Sequence, residues 1–280
     1  MTTLNEAFPF EAPRQSQIDA IAFALTAFLK NDKKFCIIEA GTGVGKSAIG
    51  LTIGRVLNLK YNPEGDNEPL KASYFVTTQK ILQEQYIKDF GEPDGEMKSI
   101  KSSSNYGCRF HKGNTCAESR QLLRTEDRSS RFFKTCTINC VYKKAKDEFL
   151  KSPESVVNFP YFLTEATYSG AITPRHVLVL DEAHNIEQEL SRFIEISVSE
   201  WFSKKTLKAG WTAAETQFQA HLWVRDIYFD KVERRLKHIE EMMSKYGGLK
   251  DKLDEMMNFA TQMDMLKSHV AKIKVFLKHY

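Results

Sequence analysis

No stretch of this 280-residue sequence is long and apolar enough to cross a bilayer: the most apolar segment, Ile18 to Leu29, is interrupted by Asp19 and falls short of a span. The first residues, Met1-Thr2-Thr3-Leu4-Asn5-Glu6, lack the basic start and apolar centre of a secretory leader. Both absences point to a cytoplasmic chain with no membrane partner. Cysteine is scarce, five residues in all, and four of them fall within 33 positions. Net charge is also small, +4, but it is unevenly placed. Residues 98–151 hold 13 Lys and Arg against 5 Asp and Glu, a local excess of +8 that leaves the remainder at −4. A basic segment in an otherwise acidic chain suits a polyanionic partner; a solvated lysine-rich loop is the plainer alternative. A hydrophobic content of 42% is enough for one large folded domain or two ordinary ones.

What is present is organised around Glu39-Ala40-Gly41-Thr42-Gly43-Val44-Gly45-Lys46-Ser47. The apolar run Phe35-Cys36-Ile37-Ile38 feeds into it and predicts a buried strand; the pattern Ala48 to Leu57 leaves it and predicts a helix. Strand, glycine loop, helix is the setting of a phosphate site, because glycines let the backbone amides turn inward toward a polyphosphate at a helix N-terminus. Gly41, Thr42, Gly43, Val44 and Gly45 would form the cradle, Lys46 would reach the outer phosphates, and Ser47 would place its hydroxyl on Mg2+. Ala40 stands where such loops usually begin with glycine, a position that asks only for a small residue.

Upstream, Ile18, Ile21, Ala22, Leu25, Phe28 and Leu29 recur at helical spacing, with Arg14 and Gln17 at the start. A Gln17 amide ahead of a phosphate-loop strand can read an adenine edge, since it offers a donor and an acceptor; a solvent-facing glutamine is the alternative. Downstream, Ala72 to Thr78 predicts a second strand, followed by a helix marked by Ile81, Leu82, Gln85 and Tyr86. Thr77 and Thr78 at that junction suit either a grip on a nucleic-acid phosphate or a helix N-cap. A strand over Val156-Val157-Asn158 leads into a helical turn, and His176-Val177-Leu178-Val179-Leu180 reads as a central parallel strand covered on both faces. It ends in Asp181-Glu182-Ala183-His184, placing two carboxylates at the carboxyl end of a strand, where open α/β sheets bind their ligands. Asp181 would hold Mg2+ with Ser47, and Glu182 would orient or deprotonate the attacking water.

Cys108, Cys116, Cys136 and Cys140 are separated by 7, 19 and 3 residues. In a cytosolic chain four gathered thiols read as a metal or cluster site. Zinc sites usually pair their cysteines closely at both ends, and only the second pair here is close, so the spacing leans toward iron–sulphur and leaves zinc open. Cys36 stands apart as a small core residue. Beyond Ile186 the chemistry gives way to helical stripes: Trp201, Phe202, Leu207 and Phe218 through Ile239 and Met243, then Met256, Met263, Leu266, Val270 and Ile273, with a break at Gly247 and Gly248. These predict two long helices in a hairpin.

The phosphate loop, the Asp-Glu-Ala-His-Asn box at 181 to 185 and the four cysteines between them resemble the XPD/DinG family of iron–sulphur DNA helicases in superfamily two. The likeness covers roughly Phe8 to Asn185. It implies an α/β fold: a RecA-like P-loop NTPase domain with a parallel sheet at 1–97 and 152–186, a four-cysteine Fe–S insertion at 98–151 and an all-helical arch-like region at 187–280. It implies a 4Fe–4S cluster on Cys108, Cys116, Cys136 and Cys140, with Asn105-Tyr106-Gly107-Cys108 matching the entry to that cluster. It implies Gln17 on the adenine side of ATP and His184 in the catalytic set beside Lys46, Asp181 and Glu182. It further implies Thr77 and Thr78 on the path of single-stranded DNA, joined by Tyr106, Arg109 and Phe110, and ATP-driven movement along that strand from 5′ to 3′. Two features depart from the family: serines at 102 to 104 replace a basic residue upstream of the first cysteine, and no Ser-Ala-Thr motif or second motor half follows the helices. Such motors take a transition-state arginine from a second RecA-like domain, so the chain alone is expected to bind nucleotide better than it hydrolyses it. Two further readings stand beside the helicase: an ATP- and DNA-binding module or subunit without motor activity, and a zinc-structured P-loop ATPase.

Overall fold

The computed structural model describes residues 2–62, 68–91, 95–124, 126–138, 140–211, 213–246 and 252–278. The chain divides into two compact units, Met1–Lys101 with Lys144–Glu189, and Ser102–Lys143 with Leu190–Tyr280.

The first unit is built on a four-stranded, wholly parallel sheet of β1 (Leu70–Thr77), β2 (Met97–Ile100), β3 (Glu154–Asn158) and β4 (Arg175–Leu180) in the order β2-β3-β1-β4. Strand β1 is buried at every position from Ala72 to Thr77, as a parallel strand covered on both faces must be. Its alternate side chains show what covers it. Phe75 points into a cluster with Leu51 of α3 (Lys46–Lys60) and Tyr86 of α4 (Lys80–Phe90). Tyr74, on the opposite face, packs its ring on Phe149 and Phe162. Helices α1 (Thr2–Ala7) and α2 (Gln15–Leu29) join α3 in a further cluster through Phe8, Ile21, Ala24, Ile49 and Ile53. The result is an α/β sandwich with the phosphate loop entering α3 beside the carboxyl ends of the strands.

Arg175 fastens this unit from within. Its guanidinium donates to the Ser73, Phe149 and Leu150 carbonyls and to Ser155 Oγ, and lies 4.0 Å from the Tyr74 ring centroid. No carboxylate among the described residues is bonded to it; desolvation lowers its pKa, and carbonyl dipoles take the place of a counter-ion.

Two readings of the sequence are corrected. Among the described residues, Phe35-Cys36-Ile37-Ile38 forms no strand and pairs with none. Cys36 and Ile38 turn inward onto the α2–α3 cluster, whereas Phe35 and Ile37 are each 88% exposed, because nothing described covers that side. Cys36 is therefore half-buried and in no strand. For the same reason β4 is, among the described strands, an edge strand and not a central one: Val177 is buried, but Leu178 and Leu180 are 48% and 36% exposed. A short apolar run signals burial somewhere; it does not state how many neighbours a strand has.

The second unit is helical. The helices Phe229–Tyr246 and Leu253–Lys278 pack along stripes that include Val232, Ile239 and Met243 on one and Met256, Ala260, Met263, Leu266, Val270 and Ile273 on the other. The glycines at 247 and 248, where the sequence places the break between them, lie outside the described residues. Leu122, Phe132 and Cys136 belong to the same cluster. The cysteine-bearing segment and the C-terminal helices, separate stretches in the sequence, thus share one apolar core.

Candidate nucleotide site and cysteine pocket

The phosphate loop takes its shape from two left-handed glycines. Gly43 has φ +77° and Gly45, the N-cap of α3, has φ +85° and ψ +44°, a region in which any residue with a Cβ is strained. An added Cβ would meet nothing within 4 Å at Gly41 or Gly43, whereas at Gly45 it would come 2.6 Å from Gln17 Nε2. The loop is open on one side and braced on the other.

The brace comes from the start of α2. Arg14 Nη2 donates to the Gly43 and Val44 carbonyls, each at 2.9 Å, and Gln17 Nε2 donates to Val44 O at 2.9 Å. Gln17 Oε1 accepts from the Arg14 backbone N–H at 2.8 Å. Turning these carbonyls outward leaves the amides of the loop for an anion. Gln17, expected at the adenine edge, is buried and holds the loop.

Lys46 and Ser47, the first two residues of α3, meet the end of β4. Ser47 Oγ donates to Asp181 Oδ2 at 3.0 Å, joining positions 134 residues apart. Lys46 Nζ lies 3.7 Å from Glu182 Oε1 and 3.3 Å from the Ala40 carbonyl. Asp181 is carried by a continuation of the ladder, its N–H donating to Val76 O of β1 at 2.9 Å. Glu182 then turns into the left-handed region, φ +53° and ψ +46°, and its N–H donates to Asp181 Oδ1 at 3.0 Å. A glutamate in this conformation stores strain, as reactive groups at strand ends commonly do. His184 Nδ1 stands 3.3 Å from Glu182 Oε2, so the whole Asp-Glu-Ala-His box converges on one corner.

Tyr86 is a member of this corner that the helical pattern alone presents as core. Its hydroxyl donates to Asp181 Oδ2 at 3.0 Å and also meets Ser47. Burial, then the negative charge of Asp181, pushes its ionisation well above the ordinary tyrosine value, so it stays a donor. The missed signal is a phenol within an apolar stripe, since a buried tyrosine hydroxyl needs a partner. Nearby, Thr77 is wholly buried with its hydroxyl donating to Gln79 O, and Thr78 Oγ1 is buried with no hydrogen-bond partner among the described residues. The N-cap of α4 is Gln79, so neither threonine caps that helix.

In the second unit a short hairpin draws the first two cysteines together despite their spacing. Gly107 bridges Thr115, Cys108 N–H donates to Asn114 O at 2.8 Å, and Cys116 N–H donates to Tyr106 O at 2.7 Å. A Thr115–Glu118 capping box then starts α5 (Cys116–Gln121). Cys136 lies in α6 (Arg131–Ile138), and Cys140 just precedes α7 (Val141–Lys151). All four line one pocket with Arg109, Phe110 and Phe132, and all are free thiols. Cys116 Sγ stands 3.5 Å from Cys140 Sγ. Burial, then the neighbouring sulfurs, pushes the Cys116 thiol up to about 12, and burial with the Cys140 charge raises Cys136. Among the described residues no group of three or more Cys, His, Asp or Glu is gathered closely enough to hold a single metal ion. Of the lining residues, Phe110 is 40% exposed; outside the lining, Tyr106 rests edge-on against Tyr142.

A parallel sheet, a braced glycine loop at a helix N-terminus and a carboxylate pair at the adjoining strand end define the class: a RecA-like P-loop domain. Residues 11–224, more than half of the chain, match the model of the family described as type III restriction enzyme, res subunit, and the chain belongs to that family. Its members are helicase-like, ATP-dependent motors of superfamily two. A comparison with curated proteins gives no match. No described helix is long and apolar enough to cross a membrane.

Proposed function

We propose that the chain carries the ATP-binding motor domain of a DNA helicase of the XPD/DinG kind, moving single-stranded DNA 5′ to 3′. The observation that carries the reading is the Ser47–Asp181 contact at 3.0 Å, which brings the phosphate loop and the acidic box into one site. Mg·ATP is the substrate. Lys46 and the loop amides hold its outer phosphates, Ser47 and Asp181 ligate the ion, and Glu182 accepts the proton of the attacking water as the bond to the leaving ADP breaks. His184 orients Glu182. Gln17 serves the adenine side as well as the loop: an amide has two donors and two lone pairs, and its contacts to Val44 and Arg14 occupy one of each.

Cys108, Cys116, Cys136 and Cys140 would hold a 4Fe–4S cluster, for which an all-thiolate donor set lining one pocket is suited. Zinc is the other occupant the thiolates suit, since the 3.5 Å between Cys116 Sγ and Cys140 Sγ is close to the separation of two thiolates bound at about 2.3 Å to one tetrahedral ion. A bound cluster would cross-link the hairpin, α6 and the start of α7. Tyr106, Arg109 and Phe110 make the second unit's contact with single-stranded DNA, by charge and by stacking, whereas the hydroxyls of Thr77 and Thr78 are buried within the first unit.

The test is ATP hydrolysis with and without a single-stranded oligonucleotide at two salt concentrations. DNA should stimulate turnover, its affinity should fall steeply with salt, and Glu182→Gln should lower the rate about 100-fold while nucleotide still binds. Anaerobically prepared protein should be brown and contain iron and sulfide. Salt-independent DNA binding would overturn the DNA reading, and a colourless zinc-loaded protein the cluster.

A further inference from the structure

We infer that Tyr86 is a positioning residue for the metal-binding carboxylate: its hydroxyl fixes Asp181 in the orientation that receives Mg2+. The inference rests on the reading of this corner as a Mg·nucleotide site. Asp181 accepts three hydrogen bonds. Its Oδ1 takes the Glu182 N–H, and its Oδ2 takes both the Ser47 and the Tyr86 hydroxyls, each at 3.0 Å. The donors are not equivalent. Ser47 is the residue assigned to the ion, and an oxygen bound to Mg2+ is no longer dedicated to holding Asp181. Tyr86 has no such second duty.

Its position makes it a rigid donor. Tyr86 is 2% exposed and belongs to a cluster with Leu51, Phe75, Met97 and Val156, and its ring lies 5.9 Å from that of Phe75 and 5.5 Å from that of Phe90. Phenylalanine would fill that space equally well. A buried phenol is costly unless its O–H is bonded, and here the bond goes to Asp181. Packing thus aims one hydroxyl at Asp181 and Ser47. Carboxylates that bind metals depend on such outer hydrogen bonds, and losing one typically costs about 10- to 100-fold in metal affinity.

The experiment is a Mg2+ titration of fluorescent-ATP binding to the wild-type chain and to Tyr86→Phe, repeated with EDTA and accompanied by thermal melting. Tyr86→Phe keeps the ring, so it should melt near the wild type. We expect the Mg2+ concentration for half-maximal binding to rise about tenfold or more, with affinity in EDTA changed less than twofold. In the background of Asp181→Asn, where the carboxylate is gone, Tyr86→Phe should add no further shift. An unchanged Mg2+ dependence with nucleotide still bound overturns the inference alone. So does an equal loss with and without Mg2+, or a melting shift large enough to account for the binding change, since each marks a merely structural hydroxyl. A wild-type chain that binds no nucleotide overturns the site reading, and the inference with it.

Discussion

Gly45 links conformation to chemistry at a single residue. Its φ of +85° disfavours any side chain, and Gln17 Nε2 would stand 2.6 Å from an added methyl group. Gly45→Ala should therefore cost about 1–2 kcal/mol from the left-handed backbone alone. Urea denaturation should show that loss, and Gln17→Ala in the same background should not recover it, because removing the clash leaves φ unchanged. Full recovery would place the cost in the contact instead. The placement of Lys46 and Ser47 at the start of a helix and of Asp181 and Glu182 at the end of a strand was legible in the sequence, because each lies beside its motif partners along the chain. The contacts of Arg14 and Tyr86 were not, since they reach across 29 or more residues to groups that only the fold brings near.

At the scale of elements, the strands and helices of the motor unit follow the apolar patterns closely, and the failures share one cause. Phe35–Ile38 and β4 both carry enough apolar character for an interior strand, yet pattern counts side chains and not neighbouring strands. Between elements, Lys146 of α7 and Glu165, just beyond α8 (Phe159–Thr164), form an ion pair at 2.6 Å. Burial pushes Glu165 upward, but hydrogen bonds from Lys146 and Ser169 outweigh it and hold the carboxyl below its ordinary 4.5. A carboxylate whose folded pKa is lowered adds stability that is complete above the unfolded value and is lost as pH falls through the folded one. Wild type should thus exceed Glu165→Gln by about 1 kcal/mol at pH 7, a partly exposed pair being worth little more. In urea melts that gap should close progressively below about pH 4.5. A gap independent of pH would remove the charge from the account.

For the whole molecule, the division into a nucleotide-binding unit and a cysteine-helical unit was only half visible in the sequence. Motifs locate the first, but nothing in the spacing of Leu122, Phe132 and Cys136 announces that they share a core with helices more than a hundred residues further on. The account stands or falls on the first unit. The most direct measurement is an equilibrium titration of Mg·ATP against the wild-type chain and Lys46→Ala. Losing one charge-assisted contact to phosphate, worth about 1.5–3 kcal/mol, should weaken binding about 10- to 100-fold while the fold persists. Equal affinity in the two proteins, or no binding by the wild type, would contradict the nucleotide site.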